Sequence, residues 1–213
     1  MFCGWCSIRV EPCMTSRWSA TGESIRGNDV GEWPAPGDPR GVQVHPALMY
    51  SGVVSEIVVR LKFSGERHLA RAAAGLMKDF SPVVPGPGDL LVPVPASRRT
   101  VRERGYNQAG LISRALSSLT GAKHMDLLER RDGPSQIGLP VAARRTNVHG
   151  VFRLRRKYRD RLGMNGRMFL VDDVATTCST LHSAAGVLLE GLGGSVAGLA
   201  LTYRSRDAGS MVR

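Results

Sequence analysis

A continuous apolar run leads into two adjacent acids and then into a cluster of hydroxyl side chains in the last quarter of the chain. This segment, from Leu170 to Thr180, reads LVDDVATTCST. Apolar residues recur at helical spacing from Leu181 to Leu192, and two glycines then provide a stop signal. A second apolar run, from Ser195 to Tyr203, completes a strand, a helix and a strand. This order predicts a right-handed crossover within a mostly parallel sheet.

The rest of the sequence favours the same α/β class. Apolar spacing predicts two amphipathic helices between Tyr50 and Phe80. A buried strand from Asp89 to Val94 and a helix from about Asn107 to Gly121 follow. Three further segments are predicted: short strands at His124 to Leu128 and at Val151 to Leu154, and a polar loop with a short helix at Arg131 to Asn147.

Residues 1–45 have no sustained periodicity and contain a Pro-rich turn segment, so they are predicted to be an irregular N-terminal appendage to one domain at 46–213. The four cysteines are too few for a secreted disulfide scaffold, and the N-terminus lacks the pattern of a signal peptide. No apolar run approaches the roughly 20 residues that span a bilayer. We therefore expect a soluble, cytoplasmic protein without a membrane partner.

Positive charge is concentrated in the middle of the chain. Residues 96–161 contain 16 Lys and Arg against 5 Asp and Glu, and this stretch accounts for the whole net charge of +11. Such a concentration favours a polyanionic partner, either a phosphate-rich small molecule or a nucleic acid backbone. A solvated basic surface is the alternative.

The acids and hydroxyls between Leu170 and Thr180 are predicted to lie where a parallel sheet binds ligands. Asp172 and Asp173 would end a strand, and the hydroxyl residues would form the turn into the next helix. The N-terminus of a helix attracts anions such as phosphate. The acids would then face the hydroxyls of a sugar, or a Mg²⁺ bound to one. Alternatively, the acids only cap the following helix.

LVDDVATTCST resembles the phosphoribosyl pyrophosphate motif of type I phosphoribosyltransferases. Other segments are similar to one branch of that superfamily, the ComF-like proteins, which are named for a role in DNA uptake. They are LVPVPASRRTVRERGYNQA from Leu91 to Ala109, the segment from Leu127 to Leu154, and IVVRLKFSGERHLA from Ile57 to Ala70. The resemblance extends from about Tyr50 to Tyr203.

This resemblance implies the type I phosphoribosyltransferase fold and a role for each part of the motifs. Asp172 and Asp173 would hold the ribose, and Mg²⁺ would bridge pyrophosphate oxygens. Arg98 and Arg99 would contact the pyrophosphate, although a purely solubilising role is the alternative. Asn107 is interpreted as the cap of the helix that it precedes. The 5′-phosphate would be held by the turn formed by Ala175, Thr176, Thr177, Cys178, Ser179 and Thr180.

The chain departs from the family's pattern at two places. Cys178 stands where the family usually has Gly, and we expect its thiol at the mouth of the phosphate site, with a pKa lowered by the helix N-terminus. The family commonly begins with a four-cysteine zinc knuckle, whereas this chain has only Cys3, Cys6 and Cys13. His45 could complete a zinc site, but a degenerate remnant of the knuckle is the favoured interpretation.

Three functions remain open on the sequence. The first is transfer of a phosphoribosyl group from phosphoribosyl pyrophosphate to an unidentified acceptor. The second is a non-catalytic accessory role in DNA uptake or recombination, with single-stranded DNA or a helicase as the partner. The third is a sensor that binds phosphoribosyl pyrophosphate without turnover.

Overall fold

The computed structural model describes residues 42–131, 150–158 and 166–204. Strands and helices alternate through most of these ranges, as the apolar patterns predict. Within them the elements are β1 (Val44–Met49), α1 (Gly52–Phe63), α2 (Leu69–Phe80), β2 (Leu90–Pro93), α3 (Arg98–Arg104), α4 (Gln108–Thr120), β3 (Lys123–His124), β4 (Leu128–Arg130), β5 (Phe152–Leu154), β6 (Arg167–Ala175), α5 (Ser179–Leu192) and β7 (Ser195–Tyr203).

Five strands form one sheet in the order β1, β7, β6, β2, β3, and every neighbouring pair is parallel. β4 and β5 form a separate antiparallel pair. The predicted α/β class, with a parallel sheet flanked by helices, is confirmed. Because all five strands run in the same direction, their carboxyl ends lie along one edge of the sheet, which is where such sheets bind ligands.

The central strand β6 is buried on both faces. Met168 and Leu170 belong to one buried cluster, which also contains residues of α5. Phe169 and Val171 belong to a second cluster, with residues of α1, α2 and α4. Side chains alternate between the two faces of a strand, so this division places α5 on one face of the sheet and the other three helices on the opposite face. The double burial explains the unbroken apolar sequence before Asp172.

Three elements differ from the sequence-based expectation. The one short strand predicted at His124 to Leu128 is instead two strands, β3 and β4, which belong to different sheets. β1 begins at Val44, so the sheet already includes the end of the segment that was predicted to be irregular. Its Pro46 obscured the strand pattern, but in the described sheet β1 pairs only with β7, and an edge strand tolerates the missing N–H. Arg98–Arg104, for which the apolar patterns predict neither helix nor strand, forms the short helix α3. Residues 1–41 and 132–149 lie outside the described residues, and the second range contains all of the loop predicted at Arg131 to Asn147 except Arg131.

The turn between α3 and α4 is tied to the end of α1. Gly105 has φ 79°, and a Cβ there would lie 2.9 Å from an Arg67 guanidinium nitrogen, so both conformation and space favour glycine. The next residue, Tyr106, donates its hydroxyl hydrogen to the Leu61 carbonyl at 2.7 Å. This contact fixes the last turn of α1, which carries Lys62, beside the start of α4.

Among the described residues, no helix has both the length and the apolar character that a membrane crossing requires.

Candidate functional site

A cavity of about 320 Å³ lies at the carboxyl edge of the sheet. It is bordered by the ends of β2 and β6, the last turn of α1, the helices α3 and α4, and the start of α5. The residues that line it are Lys62, Val94, Pro95, Ala96, Ser97, Thr100, Arg104, Asn107, Gln108, Ala109, Arg130, Asp172, Asp173 and Thr180.

Both acids predicted from the sequence line this cavity. Asp173 is only 6% exposed, and its Oδ2 lies 3.0 Å from the Nζ of Lys62. Asp172 bends back along the strand, so that its Oδ1 accepts a hydrogen bond from the Asp173 N–H at 2.9 Å. The Asp173 carboxylate is therefore balanced by a cation from the chain itself, while Asp172 faces the cavity without such a close cation among the described residues.

Burial raises the pKa of Asp172 to about 7, and the negative charge of Asp173 adds to the effect. The hydrogen bond from the Asp173 backbone and the positive charge of Lys62 act in the opposite direction but are weaker. At neutral pH the Asp172 carboxyl thus exchanges a proton readily. A cationic or hydrogen-bond-donating ligand would favour its ionised form.

Asp172→Asn should stabilise the folded protein more at pH 8 than at pH 5. The ordinary pKa of 3.8 rises to about 7 on folding, so between these values the unfolded chain is ionised while the folded protein keeps the proton, and stability falls as pH rises. Asn resembles the protonated carboxyl, and we expect a gain at pH 8 on the order of 1–3 kcal/mol in the free energy of unfolding. Urea unfolding at both pH values measures it. Asp79→Asn, an exposed acid on α2, is the control, and equal effects at both pH values would contradict the prediction.

Lys62 is a site residue that the sequence analysis missed. It lies in the last turn of α1 and is 25% exposed. Nothing in the helical periodicity separates it from an ordinary surface lysine, because its partner Asp173 is more than 100 residues away. The only signal was its place in the Lys-Phe segment that is similar to the ComF-like proteins.

The structure does not bring Arg98 and Arg99 into the cavity. Both are exposed on the outer side of α3, where Arg99 Nε contacts Glu103 Oε1 at 2.7 Å. Ser97 caps the helix by accepting from the Thr100 N–H at 3.0 Å. Residues three and four apart share one face of a helix, so Ser97, Thr100 and Arg104 face the cavity. Arg104, together with Arg130 from β4, therefore occupies the place expected for Arg98 and Arg99.

The prediction that Asn107 caps α4 is also wrong. Asn107 occupies the cap position, but its side chain accepts no hydrogen bond from the helix. Its Nδ2 instead donates to the Val94 carbonyl at 3.0 Å. This bond ties the start of α4 to the end of β2, at the wall of the cavity.

The hydroxyl turn lies between β6 and α5, beside the acids. Thr180 lines the cavity, whereas Thr176, Thr177 and Ser179 are exposed on the turn. The hydroxyls of Thr177 and Ser179 are 2.8 Å apart and share a hydrogen bond. Ala175 is buried at the end of β6. The turn thus presents exposed hydroxyls and a helix N-terminus next to the two carboxylates.

Cys178 has the left-handed backbone conformation that glycine usually supplies. Its φ is 55°, the only positive φ at a non-glycine position in the described residues. The expectation of an activated thiol at the cavity mouth is wrong: the side chain is 5% exposed and packs within the buried cluster that includes α5. Burial, followed by the negative charge of Asp172, raises the pKa of the thiol to about 11.

Alkylation of Cys178 by iodoacetamide at pH 8 should be at least about 100-fold slower in the folded protein than in urea, because a pKa raised to about 11 leaves little thiolate. Peptide mass spectrometry resolves this cysteine from the other three. Equal rates in both states would contradict the buried thiol.

Cys178→Gly and Cys178→Ala both remove the thiol and provide a matched comparison. The glycine variant should be more stable by about 1 kcal/mol, since only it relieves the left-handed conformation.

The described residues contain no group of three or more His, Cys, Asp or Glu that could hold a metal ion. Cys3, Cys6 and Cys13 lie outside these residues, and His45 lies in β1, where burial lowers its pKa. The Asp172 carboxylate, with the oxygens of a bound phosphate compound, suits Mg²⁺, which commonly takes one or two protein carboxylates together with substrate phosphates.

Comparison with known proteins finds relatives that match up to 66% of the chain. No family model matches the sequence. The chain is 31% identical over 142 residues to competence protein ComFC of Bacillus subtilis, covering 66% of this chain and 55% of that protein. It is 32% identical over 149 residues to DNA utilization protein YhgH of Salmonella typhi, covering 66% and 63%. Competence protein F of Haemophilus influenzae is 33% identical over 105 residues, covering 47% and 44%.

The chain is a relative of the ComF-type proteins. The similarity inferred from its motifs is thereby confirmed, although the chain spans less than two thirds of the length of these relatives. Among solved structures, adenine phosphoribosyltransferase from Leishmania tarentolae matches with a TM-score of 0.40 and 14% identity, over 74% of this chain and 90% of that one.

Proposed function

We propose that this ComF-like protein binds phosphoribosyl pyrophosphate with Mg²⁺ and transfers its phosphoribosyl group to an acceptor. The observation that supports the proposal is the placement of two adjacent acids, a half-buried Asp172 and a buried Asp173, next to a hydroxyl turn at a helix N-terminus. Acids suit the hydroxyls of a ribose, and the turn suits its 5′-phosphate. Three cationic side chains, Lys62, Arg104 and Arg130, line the same cavity and suit a second anionic group.

The two acids would act mainly through charge. In the proposed reaction the bond between C1 of the ribose and the pyrophosphate oxygen breaks with its electron pair leaving on pyrophosphate, and the acceptor supplies the pair for the new bond. Positive charge develops on the sugar as the bond breaks, and carboxylates fixed beside it stabilise that charge. The hydroxyl turn would hold the 5′-phosphate so that C1 stays in position. Mg²⁺ would supply a Lewis acid on the pyrophosphate oxygens.

Asp172→Asn combined with Asp173→Asn should reduce the affinity for phosphoribosyl pyrophosphate at least about 100-fold, because each acid would lose a charge-assisted hydrogen bond to the ligand. Isothermal titration calorimetry with Mg²⁺ present measures it, and circular dichroism checks the fold. Asp79→Asn again serves as the exposed control. Undiminished affinity in the double variant would rule out the ribose assignment, and a pyrophosphate-release assay over a panel of nucleobases then tests turnover.

A non-catalytic role in DNA handling is the second candidate. The printed names of the relatives refer to competence and to DNA utilization. The described part of the basic stretch includes exposed cations outside the cavity. Among them are Arg156 and Lys157 in the short 3-10 helix Arg156–Tyr158. Lys157 lies over the Tyr158 ring at 4.7 Å. An exposed cation beside an aromatic ring suits the backbone and bases of a single strand.

If this surface binds single-stranded DNA, the affinity should fall steeply with salt, with a log–log slope near −0.7 for each phosphate contacted. Arg156→Ala with Lys157→Ala should then make the slope less negative by about 1.4, since two phosphate contacts are lost. Fluorescence anisotropy with a labelled oligonucleotide measures this. Lys78→Ala on α2 is the control. A salt-independent affinity, or a slope unchanged in the double variant, would contradict this surface.

A further inference from the structure

Lys62 and Asp173 form an ion pair at the wall of the cavity. The Nζ of Lys62 lies 3.0 Å from the Oδ2 of Asp173, and the two side chains are 25% and 9% exposed. Among the described residues, this oxygen accepts no hydrogen bond from any other group. Lys62 is therefore the group that neutralises a nearly buried carboxylate. Such a pair is screened less by salt and solvent than a pair of exposed side chains.

The backbone that carries Lys62 is fixed in place. The preceding residue, Leu61, is fully buried, and its carbonyl accepts a hydrogen bond from the Tyr106 hydroxyl at 2.7 Å. The Tyr106 ring is in turn covered by the Arg67 guanidinium at 4.8 Å. These contacts limit how far the lysine can move from the acid, so its positive charge stays beside Asp173 before any ligand binds.

The positive charge of Lys62 acts on both acids of the cavity. Burial is the main cause of the raised pKa of Asp172, and the negative charge of Asp173 raises that pKa further. The positive charge of Lys62 lowers the same pKa. The two carboxylates thus repel each other, and the lysine offsets part of that repulsion.

Two adjacent carboxylates without a nearby cation would attract a free divalent ion. Carboxylate oxygens are ligands that suit Mg²⁺ and Mn²⁺. Lys62 lines the cavity together with Asp172 and Asp173, so it offsets one of the two negative charges that the ionised pair would carry. It also repels an incoming cation over a distance of a few ångströms, where charges interact more strongly in a protein than in water.

We propose that Lys62 is a counter-cation that excludes free divalent ions from the pair formed by Asp172 and Asp173. The lysine thereby selects the form in which a metal enters the cavity, namely bound to the phosphate oxygens of a ligand, whose negative charges outweigh that of the lysine. The exclusion itself rests on the position of Lys62, whereas the phosphate-bound form of the metal rests on the proposed function.

The test uses Mn²⁺ as the probe, because the free ion gives an electron paramagnetic resonance signal that decreases on binding. The intact chain is titrated without any phosphate compound at pH 8, where Asp172, with its pKa raised by burial to about 7, is mostly ionised. Lys62→Met should bind Mn²⁺ at least about 10-fold more tightly than the wild type, because a unit charge beside the acids is removed. Lys62→Arg keeps that charge and should stay within about twofold of the wild-type affinity. Lys78→Met, at an exposed lysine of α2 outside the cavity, is the matched control.

A second variant shows where the metal binds. Lys62→Met combined with Asp173→Asn should lose the gain in affinity, because only one carboxylate of the pair remains. A gain that persists in this double variant places the metal elsewhere and overturns the proposal. A lysine with a purely structural role would lower the melting temperature when replaced but would leave the Mn²⁺ affinity unchanged. Lys62→Gln repeats the comparison if the methionine variant fails to fold.

The outcomes separate this inference from the proposed function. Tighter Mn²⁺ binding by Lys62→Met that depends on Asp173, without any binding of phosphoribosyl pyrophosphate to the wild type, supports the counter-cation and contradicts the proposed function. Binding of phosphoribosyl pyrophosphate to the wild type, with equal Mn²⁺ affinities in the wild type and in Lys62→Met, overturns the counter-cation and leaves the proposed function intact. Absence of Mn²⁺ binding to Lys62→Met also overturns the counter-cation.

Discussion

The last hydrogen bond between β2 and β6 determines where the site can form. The Val94 N–H donates to the Val171 carbonyl at 2.9 Å, immediately before Asp172. It sets the end of β2 level with the end of β6, so the turn that leads to α3 opens beside the two acids. A slip of one residue would reverse the faces of every side chain in one strand. Such a slip is opposed by the burial of four side chains that are each 2% exposed or less, namely Phe169, Leu170, Val171 and Val92.

Three residues at this edge of the sheet have features that are unfavourable in isolation. Asp172 is a carboxyl whose pKa burial raises to about 7, Cys178 has a left-handed φ without being glycine, and Gln108 buries an unsatisfied amide. Each feature is unfavourable on its own. The acid and the amide line one cavity, and Cys178 begins the helix at its border. Several unfavourable local features close together are typical of functional sites, where ligand binding can compensate for their cost.

The sequence predicted the parts of the site that lie within one strand and its following turn. The apolar run to Val171 required a buried strand, so Asp172 and Asp173 had to emerge at its end. Lys62 could not be predicted from periodicity, because its pairing with Asp173 depends on how α1 packs against the sheet. Arg104 rather than Arg98 faces the cavity because of the way α3 is rotated about its axis, and the apolar patterns predict no helix in this seven-residue segment. The cationic residues of the cavity are thus determined by long-range packing and by helix rotation, which local sequence patterns do not reveal.

The cations of the basic stretch lie in two different environments, and salt screens them to different extents. Arg104 and Arg130 line the cavity, whereas Arg156 and Lys157 are exposed. Charges within a cavity are screened less by salt than charges on the surface. A small anion in the cavity should therefore keep most of its affinity at salt concentrations that release a polyanion from the exposed cations. The same excess of positive charge can support both a phosphate compound and a nucleic acid strand, and their salt dependence distinguishes which partner a given cation contacts.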